Sequence, residues 1–370
     1  NSHTWDYTRW IDKLQSDLSS GGLNTKLRHS YIVYGGRQLF RNDTDRLSHL
    51  TVGSDSAASG YSDYDVYLRD GNVWDLIILQ DYHESSRSDS AQTFPQGLSS
   101  AIDWVKSRQP QAKIAWVADW AEKASFGSIS GADSLDGVYA NITAAMTAVE
   151  NSGLTTPDFI IPMGTVMQNA RSSYLGSVNN ASDAYMNFDD TDWAWNKDKT
   201  NPVSYLGDYT VLERDSTHCS HELGRYIAGA GVYKGITDYF ADALDKDESF
   251  DFCTSLKTAP VTLGNGAWKG EFTDSIWKIV RESVDNAYKS KKSVTRSQFT
   301  KDPADDIAAA IASADYSSVD FADSAAIAAA AAASAGGKIT VSSGDVSVSD
   351  GKAYITFLYG YTKKTAVAEK

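Results

Sequence analysis

Asp75-Leu76-Ile77-Ile78-Leu79-Gln80 is an apolar run closed at both ends by polar residues. A strand with one wet face alternates apolar and polar side chains. One that is apolar at every position suits a strand covered on both faces, as in a parallel sheet. The flanking sequence repeats the theme. Pro95 opens a helical pattern with Leu98, Ala101, Ile102 and Val105 on one face, closed before Pro110. Residues 113–118 read as the next strand, and residues 134–151 as a helix built on Leu135, Val138, Ile142, Met146 and Val149. Asp158-Phe159-Ile160-Ile161-Pro162 is another buried strand, followed by a helical stretch through Arg171.

Towards the N-terminus, Trp10, Leu14 and Leu18 place an amphipathic helix over residues 5–19, ended by Gly21-Gly22. Residues 30–34 form a short strand that breaks at Gly35-Gly36. After a long polar and aromatic loop, residues 219–244 read as the last helix of the unit. Alternating strands and helices predict an α/β fold with a parallel sheet covered on both faces. Such folds carry their chemistry at the carboxyl ends of the strands. Ser2, Gly36, Gln80 and Asp215 all fall just after an expected strand or just before an expected helix.

Residues 1–292 are expected to form one domain, which a helix striped with Phe272, Ile276, Ile279, Val280 and Val284 completes. Beyond residue 293 the composition shifts to Ala, Ser and Asp. Alanine favours helix but buries little, so residues 293–337 read as a helical connector. Residues 338–370 alternate apolar and polar around Ser349-Asp350-Gly351, a hairpin signal, and read as a small or truncated β module.

The chain has 370 residues with 34 Lys and Arg against 48 Asp and Glu, a net charge of −14. That balance repels nucleic acid and anionic membrane surfaces. No apolar stretch is long enough to span a bilayer, so no membrane insertion is expected. Ten Trp and twenty Tyr offer flat faces for stacking on sugars as well as core volume. Cys219 and Cys253 are compatible with one disulfide or with two free thiols. Asn42, Asn141 and Asn180 open glycosylation-type triplets, too short to signal secretion. No signal peptide is visible, and the chain begins inside a motif.

Two distant segments carry the chemistry: Asn1-Ser2-His3-Thr4 and Asp215-Ser216-Thr217-His218. Together they offer a serine hydroxyl, an imidazole to deprotonate it and a carboxylate to orient the imidazole, the minimum for nucleophilic acyl transfer. Asp215 also suits a helix N-cap. Asp215, His218 and His221 recur at three-residue spacing, which admits a metal-site reading.

At this point the segments resemble a family, the SGNH (GDSL-like) hydrolases, and within it a bacterial branch whose first block reads Gly-Asn-Ser-His-Thr. Asn1-Ser2-His3-Thr4 matches that block without its glycine; Gly35-Gly36 with Leu39 is similar to the second; Trp74 to Gln80 is similar to the third, with Gln for the usual Asn. Residues 162–171 look typical of the branch, and Asp215-Ser216-Thr217-His218 followed by Gly224-Arg225-Tyr226 resembles the fifth block. The resemblance spans roughly residues 1–240.

It implies a three-layer α/β/α, flavodoxin-like fold whose first strand lies upstream of the given chain. It further implies ester hydrolysis, often of acetyl groups on carbohydrates, with no metal or organic cofactor. Ser2 would be the nucleophile, His218 the general base and then acid, and Asp215 the orienting carboxylate. The Ser2 and Gly36 backbone N–H groups and the Gln80 side-chain amide would bind the oxyanion. His83, Asn169, Arg171, Trp193 and Trp195 are candidate substrate-binding residues, each with a structural role as the competing reading. The substrate would be a small-molecule or glycan ester, and the location extracellular or at a bacterial cell surface. The rival reading is a catalytically silent glycan-binding or cell-surface module on the same fold.

Overall fold

A computed structural model describes residues 2–8, 10–29, 31–33, 51–53, 71, 73–178, 210–213, 217–220, 222–258 and 272–370, and only the backbone of Ser2, Trp5 and residues 31–33 and 51–53. Its organising element is a parallel three-stranded sheet, β3 (Leu76–Gln80), β4 (Lys113–Val117) and β5 (Phe159–Ile161), in that spatial order. Gln80 pairs with Val117 and Val117 with Ile161, so the three strands end level with one another.

The sheet buries both faces. Ala115, Val117 and Ile161 point into one core with Leu14, Leu18, Tyr226, Ile227, Ile276 and Ile279. Ile114, Trp116 and Ile160 point into the other, against Phe94, Leu98, Ile102, Val138, Ile142 and Met146. Successive residues of a strand face opposite sides, so two cores need apolar side chains at every position. On the first side lie α1 (Ser2–Thr8), α2 (Ile11–Ser20), α5 (Met163–Arg171), α6 (Leu223–Tyr239) and α8 (Asp274–Lys289); on the second, α3 (Ser90–Lys106) and α4 (Leu135–Asn151). The short α7 (Phe252–Ser255) adds Phe252 to the first core.

Several boundaries differ from the sequence expectation. The N-terminal helix is interrupted between Thr8 and Ile11, and both Tyr7 and Trp10 are buried. Pro95 lies inside α3, which starts one turn earlier at Ser90, where the Thr93 N–H and hydroxyl both donate to Asp89 O. The last helix begins at Leu223 because the preceding residues bond elsewhere: Cys219 N donates to Asp6 Oδ2 and Ser220 N to Leu212 O. Strand β1 (Tyr31–Val33) pairs antiparallel with β2 (Thr51–Gly53), apart from the parallel sheet. Cys219 and Cys253 are not joined in a disulfide. Among the described residues no helix is long and apolar enough to cross a membrane.

The C-terminal part folds around its own core. Helices α9 (Pro303–Ala312) and α10 (Ser324–Ser334) pack on an antiparallel meander of β6 (Val346–Ser349), β7 (Lys352–Tyr359) and β8 (Thr362–Glu369). The alanine-rich stretch does more than connect, since Ile311, Ile327 and Ala331 are fully buried with Ile355 and Phe357. Asp350 and Gly351, at φ 52° and 75°, form the two-residue turn between β6 and β7. Positive φ at both central positions is the signature of a type I′ hairpin.

Candidate active site

Gln80 is the last residue of β3, and Asp119 lies two positions beyond the end of neighbouring β4. Both therefore sit at the carboxyl edge of the sheet. The Gln80 amide is fixed from both ends: Thr4 Oγ1 donates to its Oε1 at 3.2 Å, and its Nε2 donates to Asp119 Oδ1 at 3.3 Å. These bonds define which end of the amide is nitrogen and leave its second N–H for another acceptor. Gly164, at the start of α5, lets the backbone close beneath. A Cβ there would lie 2.5 Å from Asp119 O.

His3 is the centre of the cluster and is fully buried. Its Nδ1 lies 2.6 Å from Asp119 Oδ2, and its Nε2 lies 3.5 Å from Glu122 Oε2. Burial by itself pushes an imidazole towards its neutral form. Here the charges of Asp119 and Glu122, and hydrogen bonds to both, outweigh burial and raise the His3 pKa to about 10. His3 is accordingly an imidazolium held between two carboxylates. Burial raises the Asp119 pKa against the opposing pull of His3. Burial also acts upward on Glu122, but the charge of His3 and bonds to His3 and His83 bring it below its usual value. Asp81, the next residue after Gln80, is pushed up to about 6 by burial and by the charge of Asp119, against hydrogen bonds from Ser85 and Trp116.

The segment bearing His218 is pinned on both sides. Trp120 Nε1 donates to Thr217 O at 3.0 Å. Cys219 N donates to Asp6 Oδ2 at 3.0 Å, and Asp6 Oδ1 accepts from Arg225 Nε at 2.8 Å. Asp6 belongs to the helix that Ser2 opens, so one buried carboxylate ties that helix to both the His218 segment and α6. The His218 ring then meets the His3 ring edge-on, with centroids 5.8 Å apart, and the Trp120 ring lies tilted against His3 at 4.2 Å.

His83 lies beside this centre. Its Nδ1 is 2.5 Å from Glu122 Oε1 and 2.8 Å from Ser125 Oγ, and its ring lies 3.8 Å from Tyr82, which in turn contacts His3 at 5.2 Å. Glu122 thus bridges two imidazoles, with one oxygen facing each.

Gln80 and His218 stand in the cluster, and His83 stands at its border. Ser2 opens α1 next to His3, although its side chain lies outside the described residues, as do Asp215, Gly36, Trp193 and Trp195. Arg171 and Asn169, candidate substrate-binding residues with a structural role as the competing reading, both make bracing bonds. Arg171 donates to Gln168 Oε1 at 2.6 Å, to Ala121 O at 2.7 Å and to Glu213, which fastens Glu213 to the Asp119–Glu122 segment. Asn169 donates to Ser283 O and accepts from Thr295 N, bracing α8 and the chain beyond it. Both amide atoms of Asn169 are paired within the fold, whereas Arg171 Nε is buried with no hydrogen-bond partner among the described residues. Asp119, Glu122, Trp120 and Asp6 were not singled out by sequence reasoning, and His3 entered only as part of the first block, with no role assigned to it. The available signal was position: Asp119-Trp120-Ala121-Glu122 follows a buried strand at the edge where such folds place their chemistry.

No family model matches the chain, and no curated protein sequence matches it. Among solved structures, a DUF4886 family protein from Bacteroides uniformis is similar, with a TM-score of 0.54 and 17% identity over 81% of this chain and 96% of that one. At that identity the likeness concerns the fold, a mixed α/β architecture around a parallel sheet.

Proposed function

We propose that the protein is a serine ester hydrolase of the SGNH type, on a flavodoxin-like α/β/α fold, removing O-acetyl groups from carbohydrates through an acyl-enzyme on Ser2. The observation that carries this reading is the meeting of two segments about 215 residues apart. His3, the neighbour of Ser2, lies edge-on to His218, whose flanks are pinned by Trp120 and Asp6. The meeting occurs beside Gln80 at the carboxyl edge of the sheet.

In this reading Ser2 Oγ attacks the ester carbonyl carbon while His218 takes its proton and Asp215 steadies the imidazole. The carbonyl oxygen gains negative charge and accepts hydrogen bonds from the Ser2 and Gly36 N–H groups and the spare N–H of Gln80. Collapse expels the sugar hydroxyl, protonated by His218. Water, deprotonated by His218, then attacks the acyl group and frees Ser2 with release of acetate. The oriented Gln80 amide supports its oxyanion role, since a donor fixed before the reaction costs no reorganisation during it. An extracellular or cell-surface location fits the substrate class.

The test is hydrolysis of p-nitrophenyl acetate by the protein and its Ser2→Ala variant, with fluorophosphonate labelling in parallel. Loss of about a thousandfold or more in kcat for the variant is expected, together with labelling at Ser2 only. Turnover that survives Ser2→Ala, or a folded protein that neither turns over ester nor takes the label, refutes the proposal.

A further inference from the structure

His83 is the only non-glycine residue besides the hairpin Asp350 with positive φ among the described residues, at 65°. Left-handed backbone is unfavourable for a residue with a Cβ, though His tolerates it better than most, and it persists where surrounding bonds over-determine it. They do so here. Asp81 Oδ2 accepts from Ser85 N at 2.9 Å and from Ser85 Oγ at 2.7 Å, and Asp81 Oδ1 accepts from Trp116 Nε1 at 2.9 Å. Glu84 Oε2 accepts from Tyr82 N at 2.6 Å, Ser86 Oγ donates to His83 O, and Asn141 Nδ2 donates to Ser86 O. The turn is rigid, and it holds one imidazole in one orientation.

That orientation has a chemical consequence. Glu122 is held below its usual pKa and is an ionised acceptor, so the His83 proton facing it sits on Nδ1. Nδ1 is thereby engaged, and Nε2 is the ring's remaining hydrogen-bonding atom. Among the described residues that nitrogen has no hydrogen-bond partner, and the side chain is 10% exposed. An imidazole fixed through one nitrogen offers the other to a hydroxyl, which can donate to it or accept from it. His83 is linked to His3 by Glu122 and by the Tyr82 ring, and His3 contacts His218, which sets it on the border of the site.

We infer that His83 is a specificity residue whose Nε2 hydrogen-bonds a hydroxyl of the sugar that carries the ester. This rests on the esterase reading above and adds to it the part of the substrate that is read. A site built to hydrogen-bond a hydroxyl discriminates strongly against substrates lacking it, because the site's own polar group is then left unpaired.

The test compares acetylated xylan oligosaccharides with p-nitrophenyl acetate, which has no sugar, for the protein and for His83→Asn. Asparagine accepts left-handed backbone and can donate to Glu122 from its amide, but has no atom in place of Nε2. The inference expects kcat/KM on the sugar ester to fall about tenfold further than on p-nitrophenyl acetate, mainly through KM. His83→Gln, whose amide reaches towards the Nε2 position, recovers part of the difference. Equal losses on both substrates make His83 a structural turn residue and overturn the inference, as does no loss on either. A wild-type protein that cleaves p-nitrophenyl acetate through Ser2 but not the sugar ester also overturns it, while leaving the esterase reading intact. Failure of the esterase reading shows separately, in Ser2→Ala.

Discussion

Around His3 the molecule closes off Asp6, Gln80, Asp81, Asp119, Glu122 and Arg225 from water; around Phe357 it closes off Ala304, Ile311, Ile327, Ala331, Ile355 and Ala366. The first group is held by matched charges and directed bonds. The second is held by contact alone, with its ion pairs, such as Lys352 to Glu369, left in solvent. An apolar core gains free energy simply by shedding water. A buried ionic cluster gains little net stability but is severely disrupted when one member is lost. A fold that keeps such a cluster at the carboxyl edge of its sheet, beside His218, retains an arrangement at that place which stability alone does not demand.

The largest effect expected from this contrast comes from His3→Ala. It leaves Asp119 and Glu122 facing each other without the cation between them. Breaking a buried pair in this way costs roughly 3–5 kcal/mol. Urea unfolding at neutral pH should show a lower midpoint with an unchanged slope. A midpoint within experimental error of wild type would mean that His3 is neutral in the fold and that the cluster is not ionic.

The second expected effect is a pH dependence confined to the polar region. The His3 pKa is raised in the folded protein to about 10 from an ordinary 6.5. Its contribution is therefore fully present below about pH 6.5 and is lost as pH rises through 10. Asp81, raised to about 6, adds a smaller loss as pH rises through that value, because its ionised form is disfavoured in the fold. Unfolding measured from pH 6.5 to 10 should show stability falling by a few kcal/mol, and His3→Gln should flatten that slope. An alkaline slope unchanged in the variant would assign it to other groups.

The same contrast explains what could be read from the sequence. The three parallel strands lie within two residues of expectation because burial on both faces writes an unbroken apolar run into each one. The hairpin at Asp350-Gly351 is equally local. Pairing partners are not, and residues 31–33 join 51–53 rather than the central sheet. In the site, Gln80 and His218 were legible because they stand in recognisable blocks. Asp119 and Glu122 were not, and His3 stands in the first block without a role of its own, since a carboxylate that meets an imidazole 116 positions away looks like any loop residue until the fold closes. For Arg171 the sequence leaves pocket and brace both open, because Gln168, Ala121 and Glu213 become its partners only when the fold closes.

The smallest expected effect sharpens the comparison from the apolar side. Ile355 is fully buried on β7 with no polar neighbour in its core beyond Tyr316 and Tyr359. Removing one methyl by Ile355→Val should cost about 1 kcal/mol. Because no ionisable group near neutrality changes its surroundings, that cost should be the same at pH 7 and at pH 9.5. The loss from His3→Ala should instead shrink at the higher pH, as the wild-type cluster approaches the loss of its own cation. If the Ile355→Val cost also shrinks on raising the pH, the two regions unfold as one cooperative unit whose common ground state is changing. The division into an ionic site and an apolar support would then describe composition rather than energetics.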